Sequence, residues 1–364
     1  MINVGIVGGE TEAAGELIRI LLNHPDVILR AVCSPSHAGQ RLDGFHRGLT
    51  GDTDLCFVKT LDPSKLNCVF LVGESWEAEE FMATVKDAPS HRNDADEDDA
   101  EDLLRIIDMT GSYHDGEHGM VYGFPEFHRK ALVRGALRAS IPSAIATGVE
   151  LSLFPLAKNH LLSGTTHATV SMSRNQPTIT SAQETAAGSV DKAFGIPSYD
   201  IASSQLSTRL DPVAPVANRP DTERAASEIE DEIRRIDPSF SGALKLRMAA
   251  GGGHLRGMTV VTDVTCGGSV EEIRHLYEEA YSDHAFTYLV DREPEVADVS
   301  NTNKSLLNII PLDGGAAPSA APAIRIKAVL DDYVKGSSGT AVHCMNLLFG
   351  LSERTGLALK ASVV

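Results

Sequence analysis

Several things are scarce in this sequence, and each shortage removes a class of protein. No apolar run reaches the roughly 20 residues that a membrane-crossing helix requires, so no membrane-embedded segment is expected. Basic residues are outnumbered, 32 Lys and Arg against 50 Asp and Glu, leaving a formal net charge of −18. A surface of that sign repels phosphate backbones and anionic lipid, which sets nucleic acid and membranes aside as partners. The same carboxylate surplus suits solubility in salt. The chain opens directly on a strand pattern, with no basic segment followed by an apolar one, so no secretory signal is expected. The five cysteines, Cys33, Cys56, Cys68, Cys266 and Cys344, are scattered and odd in number. They offer neither a disulfide framework nor metal-ligand spacing, and reduced thiols in a cytoplasm are the expectation. Trp76 is the only tryptophan; it reads either as a core anchor or as a plug over a cleft.

What is present has a clear order. At 364 residues the chain is long enough for two domains, each with its own core. Ile2 to Val7 reads as a buried strand that ends in Gly8-Gly9. Residues 13–23 read as a helix with Leu17, Ile18, Leu21 and Leu22 on one face, stopped by His24-Pro25. Residues 27–32 form a second strand. Strand, glycine turn, helix, strand is the opening of a Rossmann unit, in which a dinucleotide pyrophosphate meets the backbone N–H groups of the helix start. Gly5, Gly8, Gly9 and Gly15 supply the glycines. Glu10 and Glu12 put two carboxylates at the same spot, where they would repel phosphates yet stabilise an empty helix end through its dipole. Residues 68–72 form a further buried strand. Later strands are expected at 166–172, 243–248, 257–265 and 323–330, and helices at 222–236 and 269–281. Residues 87–102 are a run of charge that reads as a solvated loop, and 314–322 as a flexible hairpin linker. The stretch 173–220 lacks apolar periodicity.

Five stretches carry a resemblance. They are Ser140-Ile141-Pro142-Ser143-Ala144-Ile145-Ala146-Thr147, Val121-Tyr122-Gly123-Phe124-Pro125-Glu126, Arg256-Gly257-Met258, Asn301-Thr302-Asn303-Lys304, and the segment from Asp331-Asp332-Tyr333-Val334-Lys335-Gly336 to Asn346. Taken in chain order they resemble the N-acetyl-gamma-glutamyl-phosphate reductase family, and its bacteroidete branch in particular. The resemblance implies an α/β fold in two parts. A Rossmann dinucleotide-binding domain would span 1–147 and 335–364. An α+β domain of the glyceraldehyde-3-phosphate and aspartate-semialdehyde dehydrogenase type would span 148–334. It implies NADPH-dependent reduction of a small-molecule substrate, N-acetylglutamyl 5-phosphate, to the semialdehyde in arginine biosynthesis, and it makes a homo-oligomer the expected state. It also implies NADP as cofactor, with Gly8, Gly9 and Gly15 at the phosphate loop. Ser34 and Ser36 would meet the 2′-phosphate. Lys335 and Gly336 would lie in the segment facing the nicotinamide, with Lys335 reaching a phosphate. Apart from the resemblance, Cys33 to Gly39 reads as a Ser/Pro turn.

The departures from the family pattern fall on its chemistry. The nucleophile loop of the family reads Asn-Pro-Gly-Cys, and Ala144 stands at the cysteine. A methyl group cannot attack an acyl phosphate, because covalent catalysis of this kind needs a thiolate. The family carries a His-x-His segment before a Pro-Glu-Ile, its second histidine being the acid/base partner. Placed at 217–223, that segment holds no histidine, and none occurs between His167 and His254. The family's Gly-Ser-Thr-Gly-Ala-Gly loop is missing as well. Thr11 and Glu12 replace a glycine and an aromatic of the phosphate loop. His114 stands for a basic residue, Asp332 for an Asn and Thr340 for a Gln. Scaffold positions persist while reactive ones change. Three readings follow. One is an inactive or strongly impaired relative, partnering an active paralogue. The second is an oxidoreductase with a displaced nucleophile or base among His254, Cys33 and Cys266. The third is a non-enzymatic small-molecule sensor that keeps a partial nucleotide cleft.

Overall fold

A computed structural model describes residues 1–85, 103–114, 116–173, 220–250, 255–312 and 323–361. The expectations for 87–102 and 314–322, nearly all of 173–220, and His254 lie outside these residues.

The first sheet is built from short buried runs. Strands β1 (Ile2–Val7), β2 (Val27–Cys33), β3 (Phe57–Val58), β4 (Cys68–Leu71), β5 (Arg105–Asp108), β6 (Val121–Tyr122) and β7 (Arg138–Ser140) form it in the order β3-β2-β1-β4-β5-β7-β6. Every pairing is parallel. β4 and β5 are buried along their whole length, as strands covered on both faces must be. Strand order reverses beside β1, with β2 on one side and β4 on the other, which opens a crevice at the carboxyl ends of these strands. Helix α1 (Glu12–Leu22) starts there, and the Thr11 hydroxyl caps it by accepting from the Ala14 amide at 3.0 Å. Helices α2 (Ser75–Thr84) and α3 (Pro125–Val133) follow. Trp76 is not a core anchor. It is 58% exposed in the first turn of α2, while Ala78, Phe81 and Met82 make the buried face of that helix.

Helix α4 (Ala144–Lys158) leaves the first sheet and crosses the second. Its residues from Ala146 to Ala157 are all buried. The second sheet comprises β8 (Thr165–Ser173), β9 (Ala243–Ala250), β10 (Gly257–Thr265), β11 (Thr287–Leu289), β12 (Ser305–Leu312) and β13 (Ala323–Leu330), in the order β11-β12-β13-β10-β8-β9. It is mixed: β8–β9 and β11–β12 run parallel and the other pairs antiparallel. Met258, Val260 and Val264 of β10 turn into the core, while Thr259, Val261 and Asp263 alternate onto the other face. Helices α5 (Pro220–Ile236) and α6 (Val270–Tyr281) contribute Ile229, Ile233, Ile273 and Tyr277 to the same core as α4.

Strand β12 was not anticipated. Five consecutive buried residues at its start remove the alternation that marks a strand, and Pro311 near its end breaks the pattern. The chain returns at the end to the first sheet. A π-helical turn, Val334–Ser338, leads into α7 (Gly339–Leu348), all of whose residues are buried. Val334, Val342, Met345 and Leu348 share one core with Ile6, Leu17 and Leu21. Among the described residues no helix is long and apolar enough to cross a membrane.

Candidate functional site

The site forms where α4 begins. The Ile141 amide donates to the Asp108 carbonyl at 2.7 Å, and the Ser140 hydroxyl to Asp108 Oδ2 at 2.7 Å, so the end of β7 is pinned to the end of β5. Ser143 then caps α4, its Oγ accepting from the Ala146 amide at 3.2 Å. Ala144 is the first residue of the helix. A methyl group placed on Gly336 would lie 2.8 Å from the Ala144 Cβ, so the backbone of the π-helical turn rests against that alanine. Two residues 192 positions apart thus meet.

A carboxylate lies over this helix start. Glu228 of α5 accepts from the Ser143 amide at 3.1 Å through Oε1 and from the Ser143 hydroxyl at 2.9 Å through Oε2. The Tyr122 hydroxyl reaches Oε1 at 3.1 Å, and His114 Nδ1 lies 3.1 Å from it. His114 Nε2 meets the Ile141 carbonyl at 2.8 Å. Tyr122 also meets Glu150 Oε1 at 2.5 Å, and Glu150 lies wholly buried in α4. Helix α5 is held along this face by Arg224 to the Gly111 carbonyl at 2.6 Å, Glu232 to His128 at 3.0 Å and Arg235 to the His114 carbonyl at 2.9 Å. An anion at a helix start is favoured by the free N–H groups and the dipole there; here the chain supplies that anion itself.

Lys335 is turned inward. It is 0% exposed, and its ammonium sits 2.5 Å from Glu126 Oε1 at the start of α3. Thr287 donates to the same carboxylate at 2.8 Å. Burial by itself would raise the Glu126 carboxyl; the Lys335 ammonium, with His343 beside it, outweighs this and holds it at about 2. Where a contact of Lys335 with a phosphate was expected, the structure has an interior ion pair tying the π-helical turn to α3.

The nucleotide end of the crevice is also internally occupied. Gly8 adopts φ +77°, and a methyl group on it would come within 2.1 Å of the Gly73 backbone, so only glycine fits this crossing of two turns. A methyl group on Gly9 would strike Val32 and Phe57, and one on Gly15 would strike His46, whose Nε2 lies 2.7 Å from the Gly9 carbonyl. The Ser34 hydroxyl is buried between Ser36 Oγ at 3.1 Å and His37 Nδ1 at 3.0 Å. Ser36 is exposed and lies 3.5 Å from Glu10 Oε1, while Glu10 Oε2 is buried without a partner. Glu12 is exposed and accepts from the Tyr333 hydroxyl. Tyr333 lies beneath the Arg256 guanidinium, which pairs with Glu16 at 2.9 Å and Asp331 at 3.0 Å. That is the use of Arg256-Gly257: the arginine bridges α1 to the end of β13.

The thiols do not gather here. Burial, with the charges of Glu77 and Glu10, pushes Cys33 up to about 11. Burial likewise raises Cys266 and Cys344. A raised thiol is a poor thiolate source. Cys266 follows the far end of β10 from Met258, the residue that packs beside α4 at Gly148. Sequence reasoning missed Tyr122, His114, Glu150 and Glu228 as one cluster. Glu150 did carry a signal, being the only charged side chain between Ala146 and Ala157 of α4.

A parallel sheet with a glycine turn at its strand-order reversal, a mixed sheet crossed by one buried helix, and a site where that helix begins make a two-part α/β fold of the dinucleotide-binding class. Residues 3–134 match the family described as "Semialdehyde dehydrogenase, NAD binding domain". The chain is 34% identical over 364 residues to the N-acetyl-gamma-glutamyl-phosphate reductase of Parabacteroides distasonis, covering 100% of this chain and 99% of the relative. It is 30% identical to that of Phocaeicola vulgatus over the same shares. In fold it is similar to a probable aspartate-semialdehyde dehydrogenase from Pseudomonas aeruginosa, with TM-score 0.64 at 17% identity, covering 95% of this chain and 98% of that one. The chain belongs to the N-acetyl-gamma-glutamyl-phosphate reductase family.

Proposed function

We propose that this chain keeps the architecture of an N-acetyl-gamma-glutamyl-phosphate reductase while having lost its covalent chemistry. The observation that carries the reading is Ala144, set as the first residue of α4 and against the backbone of Gly336. That is the place the resemblance assigns to the thiol. A second observation supports the reading from the histidine side. Glu228 of α5 lies over the Ser143 loop. If Ser227-Glu228-Ile229 takes the place of Pro-Glu-Ile, the residues before it are Ala225 and Ala226. An acid/base group must reach the reacting atom directly or through one water, and an alanine supplies none. The test is to incubate the purified protein with an acyl phosphate and weigh it intact. No acyl adduct is expected; an adduct on any side chain would refute the reading and identify the displaced nucleophile.

NADP is the nucleotide that family membership supports, and one structural neighbour, the aspartate-semialdehyde dehydrogenase of Candida albicans, was crystallised with NADP. The strand, turn and helix at Gly8 and Gly9 fit a dinucleotide, but the phosphate-facing residues fit it poorly. Glu10 leans on Ser36, and Ser34 is spent on its neighbours. A carboxylate close to phosphate in a poorly screened crevice is repelled. NADPH is expected to bind more weakly than micromolar, a level that corresponds to about −8 kcal/mol. Replacing Glu10, Thr11 and Glu12 together by Ala, Gly and Tyr is expected to tighten it. Calorimetry showing micromolar or better affinity in the unaltered protein would contradict this.

A further inference from the structure

The contacts of Tyr122 raise a question of proton counting. Its hydroxyl has one hydrogen, yet its oxygen meets two carboxyl groups, Glu150 Oε1 at 2.5 Å and Glu228 Oε1 at 3.1 Å. Two ionised carboxylates leave one of those contacts without a hydrogen. One of the two acids therefore brings its own. Glu228 is the better anion, because the Ser143 amide and hydroxyl both donate to it. His114 lies beside it, with Nδ1 3.1 Å from Glu228 Oε1 and Nε2 at the Ile141 carbonyl. Glu150 has none of this. It is 0% exposed, and its Oε2 is buried without a partner.

We propose that Glu150, Tyr122 and Glu228 form one proton-sharing unit, with the proton on Glu150 and the charge on Glu228, and that the charged Glu228 is a built-in carboxylate ligand closing the amino-terminal end of α4. Glu150 donates to Tyr122, Tyr122 donates to Glu228, and Glu228 holds Ser143. The surroundings agree. Burial and the charges of Glu228 and Glu232 hold the Glu150 carboxyl well above the usual carboxylate range, against the hydrogen bond from Tyr122. Tyr281 of α6 also faces Glu150, and its hydroxyl, raised by burial, carries no charge. The other charged groups around the unit are paired away from it: Glu232 with His128 at 3.0 Å and with Arg235 at 2.9 Å. Removing the Glu228 carboxylate would free Ser143 and open the helix end to an external anion. The inference rests on the reading of the site as one without a thiol only in that Glu228 holds a serine there.

Infrared spectroscopy tests the proton, independently of any activity. At neutral pH the unaltered protein is expected to show a protonated-carboxyl C=O band that shifts in heavy water. Glu150→Gln is expected to lose it and Glu228→Gln to keep it. In Tyr122→Phe, where Glu150 loses its acceptor, the band is expected to move to higher frequency. No band in the unaltered protein, a band that survives Glu150→Gln, or an unmoved band in Tyr122→Phe would overturn the proposal. The ligand half has its own readout. Acetate is expected to raise the melting temperature of Glu228→Gly and leave that of the unaltered protein alone; equal responses would overturn it. Acyl-adduct formation can succeed or fail without altering either result.

Discussion

Glu126→Ala is expected to destabilise the protein by about 3–5 kcal/mol, the cost of leaving one partner of a buried ion pair uncompensated. The case is a strict one, because Lys335 is 0% exposed and its ammonium has Glu126 at 2.5 Å. The double variant Glu126→Leu with Lys335→Met is expected to regain most of the loss, since a buried pair contributes little beyond well-packed apolar side chains. Urea unfolding of the single and double variants measures both. The same pair sets an acid limit. The Glu126 carboxyl lies at about 2 in the folded protein against an ordinary 4.5. A depressed carboxyl contributes stability that is present above its unfolded value and lost as pH falls toward its folded one. That contribution should therefore be full above 4.5 and fade between 4.5 and about 2. In Glu126→Ala this part of the acid sensitivity should vanish; an unchanged acid profile would show that the pair is not what limits stability there.

The second large effect is an expected failure. Ala144→Cys alone should not restore reductive dephosphorylation of N-acetylglutamyl phosphate. Loss of a nucleophile in the best-studied hydrolase case leaves on the order of 10³–10⁴-fold acceleration over water, and a backbone oxyanion site cannot supply the missing attack. A thiol returned at the start of α4 would still find Glu228 spanning Ser143, no histidine at 225 or 226, and Glu10 in the phosphate loop. Nucleophile and base act as a unit, so restoring one recovers little. Single-turnover measurements on Ala144→Cys should show no NADPH oxidation coupled to substrate. Burst oxidation would mean that the rest of the machinery is intact.

Much of this was legible from residues alone, for reasons particular to each element. Ile2 to Val7 is a short apolar run closed by glycines, and β10 alternates cleanly, so both strands could be read. Strand β12 could not, because its first five residues are buried without alternation and Pro311 lies near its end. The meeting of Ala144 with Gly336 was legible only through resemblance, since nothing local to either residue points to the other. The carboxylate cluster was illegible for a different reason. Glu228 lies on a polar, highly charged helix, where a functional carboxylate looks like any solvated one. Only the fold shows that Arg224, Glu228, Glu232 and Arg235 of α5 face the 111–114 loop, Ser143 and His128. The interior ion pair of Lys335 was not legible, because an isolated lysine beside a glycine reads as solvent-facing. Its partner, Glu126, is 209 residues away in sequence.

The central claim is that the reductase scaffold persists here without its chemistry. Phosphate-dependent reduction of NADP⁺ with N-acetylglutamate semialdehyde, the reverse direction, tests it on the purified protein with an intact family member as positive control. No turnover above the uncatalysed rate is predicted. Turnover of about 1 s⁻¹ or more, ordinary for an enzyme, would contradict the account.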